Sequence, residues 1–244
     1  MGRSFNYGDA VTPERYERIR QVLASRYTDL TVLMENVNKG HNFSAILRTC
    51  DAVGIAEAHA VVPTRSSVRV DRHTARGSGQ WVRVRSHGTV QQAAQQLDRD
   101  GFQIIAAHPS ASSVPLEAVD LTRPTAILVG AELDGVSAAG LALAHATIEV
   151  PMRGMVGSLN VSVATAVILY EALRQRTGNH AYRPARISEA DQVRLAVEWS
   201  YPKLTAICRA KGLPYPELDH EGFLVGEPPA TATDDSDSTR QEVV

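Results

Sequence analysis

The run Pro124–Val129 (PTAILV) carries no charge and stops on Gly130. A strand that apolar along both of its alternating faces needs cover above and below. A mainly parallel sheet with helices on both faces provides it. Thr31–Met34, Ala58–Val62, Phe102–Ala107 and Thr147–Val150 fit the same sheet, and Trp81–Arg85 alternates like a further strand. Helical patterns lie between them. One begins near Asn42 as N-cap, carries Phe43, Ile46, Leu47, Cys50 and Val53 on one stripe, and closes at Gly54. Another runs from Thr89 to about Asp100, before Gly101. Ser137 caps a short one, and an almost wholly apolar one follows Asn160. Alternating strands and helices predict an α/β fold.

The flanks read differently. Thr12-Pro13 starts a helix to about Arg26, with Ile19, Val22 and Leu23 as its apolar stripe. Ser188–Asp191 has the shape of a capping box and opens one helix reaching about Arg209. Residues 1–11, and the acidic Pro/Ser/Thr-rich tail from Glu227, lack apolar content and are expected to be disordered. The partition is therefore residues 1–29 as an N-terminal helical extension, 30–176 as the core, 177–225 as a C-terminal helical extension, and 226–244 as an acidic tail.

The chain has no run of eighteen apolar residues and no apolar leader after Met1, so no membrane partner is expected. Cys50 and Cys208 are far apart, as free thiols in a reducing cytoplasm would be. No Cys/His cluster has metal-ligand spacing, and no metal is expected. The net charge of −2 hides an uneven distribution, because the tail holds five acids and one arginine. Arg65, Arg69, Arg72, Arg76, Arg83 and Arg85 crowd one segment with a single acid, Asp71. That density fits a solvated surface or a polyanion-binding patch.

Three glycine- or asparagine-bearing loops follow strand ends, where open α/β sheets bind ligands. They carry Asn42, with Arg48 on the polar side of the helix it opens, Glu132 between Gly130 and Gly135, and Ser158 with Asn160. Each has a plain structural alternative. Arg48 is spaced to pair with Asp51, Glu132 fits a solvated turn, and Asn160 fits a helix cap. Gly130–Gly135 is neither a P-loop nor GxGxxG, and Ser158 lacks the second glycine of GxSxG, so nucleotide-triphosphate, dinucleotide and hydrolase chemistry are disfavoured.

Asn42–Arg48 (NFSAILR), Ile127–Gly135 (ILVGAELDG) and Val150–Ser162 (VPMRGMVGSLNVS) resemble, in order and spacing, the three motifs of the SPOUT-superfamily RNA 2′-O-ribose methyltransferases of the TrmH family. The resemblance covers about Leu30 to Arg176. It is greatest to the branch that methylates guanosine 18 in the tRNA D-loop, given the single-helix N-terminal extension and the Lys211–Pro216 turn. It implies a C-terminal deep trefoil knot, which an apolar pattern alone would not suggest. It also implies a cytoplasmic homodimer acting on tRNA with S-adenosyl-L-methionine as methyl donor. Ala107, Gly130, Val150, Met152 and Leu159 would hold the cofactor, largely through backbone groups. Arg48, Asn42, Glu132, Ser158 and Asn160 would form the catalytic set. The two extensions and the arginine segment would bind RNA, with Arg15, Arg18, Arg65, Arg69, Arg72 and Arg76 as contacts. Arg48 as a base is physically awkward, because a guanidinium hardly loses its proton; a cation stabilising the developing alkoxide is the better reading. Asn42 and Arg48 lie roughly 240° apart around a helix, so any cooperation between them comes from the resemblance alone. Ribosomal RNA methylation, a non-catalytic RNA-binding relative, and a nucleotide-dependent metabolic enzyme are the alternatives.

Overall fold

The structure is a computed structural model that describes residues 11–62 and 80–226. The expected disorder at the N-terminus and in the acidic tail, and the positions Arg65, Arg69, Arg72 and Arg76, lie outside the described residues. The chain divides into two compact units. One runs from Ser25 to Ile187, and the other joins the segments up to Ala24 and from Ser188.

The larger unit is built on a seven-stranded parallel sheet. Its strands are β1 (Leu30–Glu35), β2 (Glu57–Val61), β3 (Arg83–His87), β4 (Gln103–Ala107), β5 (Val114–Pro115), β6 (Thr125–Val129) and β7 (Ala146–Glu149). They lie in the order β3-β2-β1-β6-β4-β7-β5. The central pair β1 and β6 is buried at every position, as the apolar run predicts. Val32 pairs with Ile127 and Leu33 with Leu128. Because side chains alternate across a strand, Val32 and Ile127 enter one core cluster while Leu33 and Leu128 enter the other.

Helices α2 (Gly40–Ala52) and α5 (Val161–Gly178) fill the first cluster through Ile46, Leu47, Cys50, Ile168, Leu169 and Ala172. Helices α3 (Val90–Arg99) and α4 (Ala138–Leu143) fill the second through Ala93, Ala94 and Leu97, with Ala139 and Leu141 packed against it. Thr89, Ser137 and Asn160 cap α3, α4 and α5 as the sequence predicts, each accepting from a backbone N–H in the first turn. Asn42 does not cap α2. The helix begins earlier, with Lys39 at the N-cap making no side-chain cap bond, and Asn42 lies inside the first turn. Strand β3 starts two residues later than the alternation from Trp81 suggests.

The unit extends past the expected limits of Leu30 and Arg176, and a buried ion pair explains why. Arg176, in the last turn of α5, donates to Asp29 Oδ1 at 2.6 Å, to the Asp29 carbonyl at 2.9 Å and to the Leu121 carbonyl at 2.9 Å. It also donates to the Tyr182 hydroxyl, which in turn donates to Asp29 Oδ2 at 2.7 Å. Burial, then the bond to Asp29, pushes the Tyr182 hydroxyl above its ordinary range. Residues 26–29 and 179–186 are thus tied to the sheet.

The second unit contains α1 (Pro13–Ser25, most of which belongs to it), α6 (Glu189–Ser200) and α7 (Pro202–Lys211). The single C-terminal helix expected from Ser188 to Arg209 is two. Pro202 has no N–H to donate and disfavours helical backbone at Tyr201, which takes φ −130° and ψ 63°. The chain then folds back so that the Tyr201 hydroxyl donates to the Gly222 carbonyl at 3.0 Å. A Cβ at Gly222 would meet the Tyr16 ring at 2.4 Å.

Candidate active site

The three loops singled out in the sequence meet in the larger unit, at the C-terminal ends of the central strands. Asn160 is the meeting point. Its Oδ1 accepts from the Ser162 N–H at 2.9 Å and the Ser162 hydroxyl at 2.6 Å. That fixes the amide nitrogen on the other side, where it donates to Asn42 Oδ1 at 3.1 Å and to Glu132 Oε1 at 3.3 Å. Asn42 is only 2% exposed, which explains its place inside the first turn of α2: its carbonyl is committed to Asn160. Asn160 is therefore a helix cap and a junction at once.

Glu132 is an exposed carboxylate of the Gly130–Gly135 turn, but not a free one. Its Oε2 pairs with the Lys39 ammonium. That contact first, and the Asn160 amide with it, holds the Glu132 carboxyl below the usual carboxylate range. Glu132 is thus anionic at neutral pH.

Beneath this junction lies a cavity of about 150 Å³. Its lining contains all five residues expected to hold the cofactor (Ala107, Gly130, Val150, Met152 and Leu159), together with Glu132 and Ser158. Most of the other lining side chains are small or apolar, among them Val129, Ile148, Val161, Ala164 and Ile168. One wall is the turn after β6, where Ala131 and Gly135 exchange backbone hydrogen bonds at 3.1 and 2.9 Å. The two glycines are required there. Gly135 sits at φ +66°, and a Cβ at Gly130 would fall 1.9 Å from the Gly135 carbonyl oxygen.

Arg48 does not join this cluster within one chain. It is an exposed residue of α2, absent from the cavity lining, and has no hydrogen-bond or ion-pair partner among the described residues. Nor does it pair with Asp51, whose carboxylate takes the buried Arg26 instead. Ser158 is exposed and makes no hydrogen bond among the described residues. Arg15 and Arg18 are exposed on α1, in the other unit. Arg83 and Arg85 both pair with Glu57, at 3.1 and 2.8 Å. Among the described residues no group of three or more His, Cys, Asp or Glu is placed to hold a metal ion, and no helix is long and apolar enough to cross a membrane.

Two residues of the site were not distinguished in the sequence. Lys39 was one polar position in the turn Glu35–His41, although it stands only three residues before Asn42. Glu35 lies at the end of β1 and is 4% exposed. It accepts from the Ser137 hydroxyl at 2.7 Å and the Ser137 N–H at 2.9 Å, anchoring the chain that leaves the Gly130–Gly135 turn. A carboxylate closing an otherwise apolar strand is the signal that could have found it.

This fold and site define a class. Residues 29–170 match the SpoU rRNA Methylase family and residues 174–226 the C-terminal SpoU rRNA methylase family, and the chain belongs to the SpoU methylases. Within the class, it is 48% identical to the tRNA (guanosine(18)-2′-O)-methyltransferase of Escherichia coli, over 88% of this chain and 94% of that one. The crystal structure of the A. aeolicus TrmH/SpoU tRNA modifying enzyme superposes with a TM-score of 0.70 at 40% identity, covering 78% of this chain and 96% of that one. An AdoMet-bound rRNA methyltransferase from Sinorhizobium meliloti is more distant, with a TM-score of 0.53 at 27% identity, covering 64% of this chain and 59% of that one.

Proposed function

We infer that the chain transfers the methyl group of S-adenosyl-L-methionine to the ribose 2′-hydroxyl of guanosine 18 in tRNA. The observation that carries this is the junction of Asn42, Glu132 and Asn160 over a cavity lined by all five expected cofactor residues. The relatives named above give the substrate. The lining suits the cofactor: apolar side chains for an adenosyl group, and backbone groups made accessible where Gly130 and Gly135 exclude side chains.

The bound cofactor supplies an already activated methyl group on a sulfonium. The protein has to place the ribose oxygen in line with the methyl group and stabilise the negative charge that develops on it as its proton passes to water. Ala107, Gly130, Val150, Met152 and Leu159 hold the donor. Asn160 sets the position of the Glu132 carboxylate and fixes α5 against α2. Arg48 acts as a cation that binds phosphate beside the target ribose and stabilises the developing alkoxide. Ser158 faces the substrate from the cavity rim.

Arg48 reaches the reaction centre from a second copy of the chain in this account. The homodimer is supported by α5, whose first half is mostly apolar yet exposes Val163 at 48%, Val167 at 40% and Tyr170 at 54%. Those three residues form a stripe at helical spacing and leave apolar surface in need of a partner. In the same reading the segment Pro151–Gly178 is threaded as a trefoil knot, Arg15 and Arg18 on the N-terminal extension and the arginine segment from Arg65 to Arg85 bind the tRNA backbone, and the enzyme works in the cytoplasm. The direct test is transfer of labelled methyl to an unmodified tRNA transcript, followed by nuclease mapping. Label at the ribose of guanosine 18 is expected; label found only with ribosomal RNA would sink the assignment.

A further inference from the structure

Lys39 holds one of the junction's two charges. Its side chain is 54% exposed while its ammonium is bound to Glu132, whose side chain is 31% exposed. The pair therefore sits at the rim of the cavity, in water, where a polyanionic substrate would have to arrive. An exposed lysine–carboxylate pair contributes little net stability, because water already solvates both charges. An RNA phosphate offers the same ammonium a comparable contact and releases a condensed counterion on forming it. Exchange of Lys39 from the carboxylate to a phosphate is therefore close to balanced, and substrate binding can drive it.

We propose that Lys39 is a phosphate-binding positioning residue that Glu132 holds in reserve: on RNA binding the ammonium moves from the Glu132 carboxylate to a backbone phosphodiester, leaving Glu132 to the Asn160 amide and the substrate. This rests on the RNA-methyltransferase reading above. It gives the junction a way to respond to RNA. Glu132 keeps one partner in place of two, and that partner, Asn160, caps the helix whose first residue, Val161, lines the cavity. No proton or electron is transferred in the exchange itself.

Two variants of the full chain test the exchange through binding of unmodified tRNA transcript, measured by filter retention across a salt series with no methyl transfer required. For Lys39→Met, the log–log salt slope should fall by about 0.7–0.9, the loss of one phosphate contact, and affinity at low salt by roughly three- to tenfold. Lys39→Arg should keep the slope. For Glu132→Gln, the competing carboxylate is gone, so tRNA should bind about two- to fivefold more tightly even as methyl transfer drops. A merely structural ion pair predicts the opposite for Glu132→Gln, and no change of slope for Lys39→Met. An unchanged slope in a folded Lys39→Met protein, or equal or weaker binding by Glu132→Gln, overturns the proposal. If the function itself is misread, the wild-type chain will fail to bind tRNA saturably, which separates the two failures.

Discussion

Replacing Asn160 by alanine removes three things at once, and the structure sets their sizes. The cap of α5 is lost, at about 1 kcal/mol. The Asn42 side chain, in a residue 2% exposed, loses its partner, and an orphaned buried acceptor costs about 1–3 kcal/mol. The exposed contact with Glu132 adds little. The expected loss is therefore about 2–4 kcal/mol, or a fall in Tm of roughly 4–16 °C for a protein of this size. Urea unfolding followed by circular dichroism measures it, with an unchanged slope m showing that only stability has moved. Asn160→Asp keeps the capping oxygen but replaces the amide donor with a carboxylate facing Glu132, so it should lose the junction and keep the cap. Because Asn42 and Asn160 are bonded, Asn42→Ala and Asn160→Ala should be non-additive by more than about 0.5 kcal/mol. Additive effects, or an Asn160→Ala protein within about 0.5 kcal/mol of wild type, would refute the reasoning.

Further outcomes follow from other parts of the molecule. Gly130→Ala would drive a Cβ to 1.9 Å from the Gly135 carbonyl oxygen, so the turn must open; calorimetry should show S-adenosylmethionine affinity reduced by at least tenfold, and retained affinity would contradict the tight crossing. Arg176→Met leaves the Asp29 carboxylate buried without its cation and should cost about 3–5 kcal/mol in urea unfolding, with Asp29→Asn in the same background recovering part of it. His59 is 4% exposed, donates or accepts across 2.9 Å to His87, and is held at about 4 by burial first and by His87 second. Its folded value is below the unfolded one, so its neutral form contributes stability above pH 6.5 that is lost as pH falls toward 4, by up to about 3 kcal/mol. His59→Gln should flatten stability between pH 6.5 and 4, and an unchanged pH profile would remove that contribution. Arg48→Lys should lose methyl transfer by at least tenfold with cofactor affinity intact; near-full rate would show that the guanidinium fork is not needed.

Much of the fold is legible in the sequence because burial writes it there. The central strands are buried at every position and mostly apolar, and caps such as Thr89, Ser137 and Asn160 use local hydrogen bonds that local sequence specifies. What the sequence hides depends on long-range partners. Arg176 and Asp29 are 147 residues apart, and nothing near either one predicts that pair. The same holds for Asn42, whose local reading as a cap gave way to a bond with Asn160, 118 residues on. Arg26 displaced Arg48 from Asp51 because the winning partner comes from outside the helix. Of the site, the loops and their polar residues could be named from strand-end position and motif order. Their convergence on one amide, and the part played by Lys39, required the fold. The break at Tyr201–Pro202 was readable in principle, since a proline stands inside the apparent helix.

The central claim is that one ribose hydroxyl receives the methyl group. It is tested most directly with a tRNA carrying 2′-deoxyguanosine at position 18 and ribose elsewhere. Labelled methyl from S-adenosylmethionine should enter the all-ribose transcript and be absent from the deoxy-substituted one, while both bind the enzyme with similar affinity. Equal incorporation into the two RNAs would place the reaction at another atom and contradict the account.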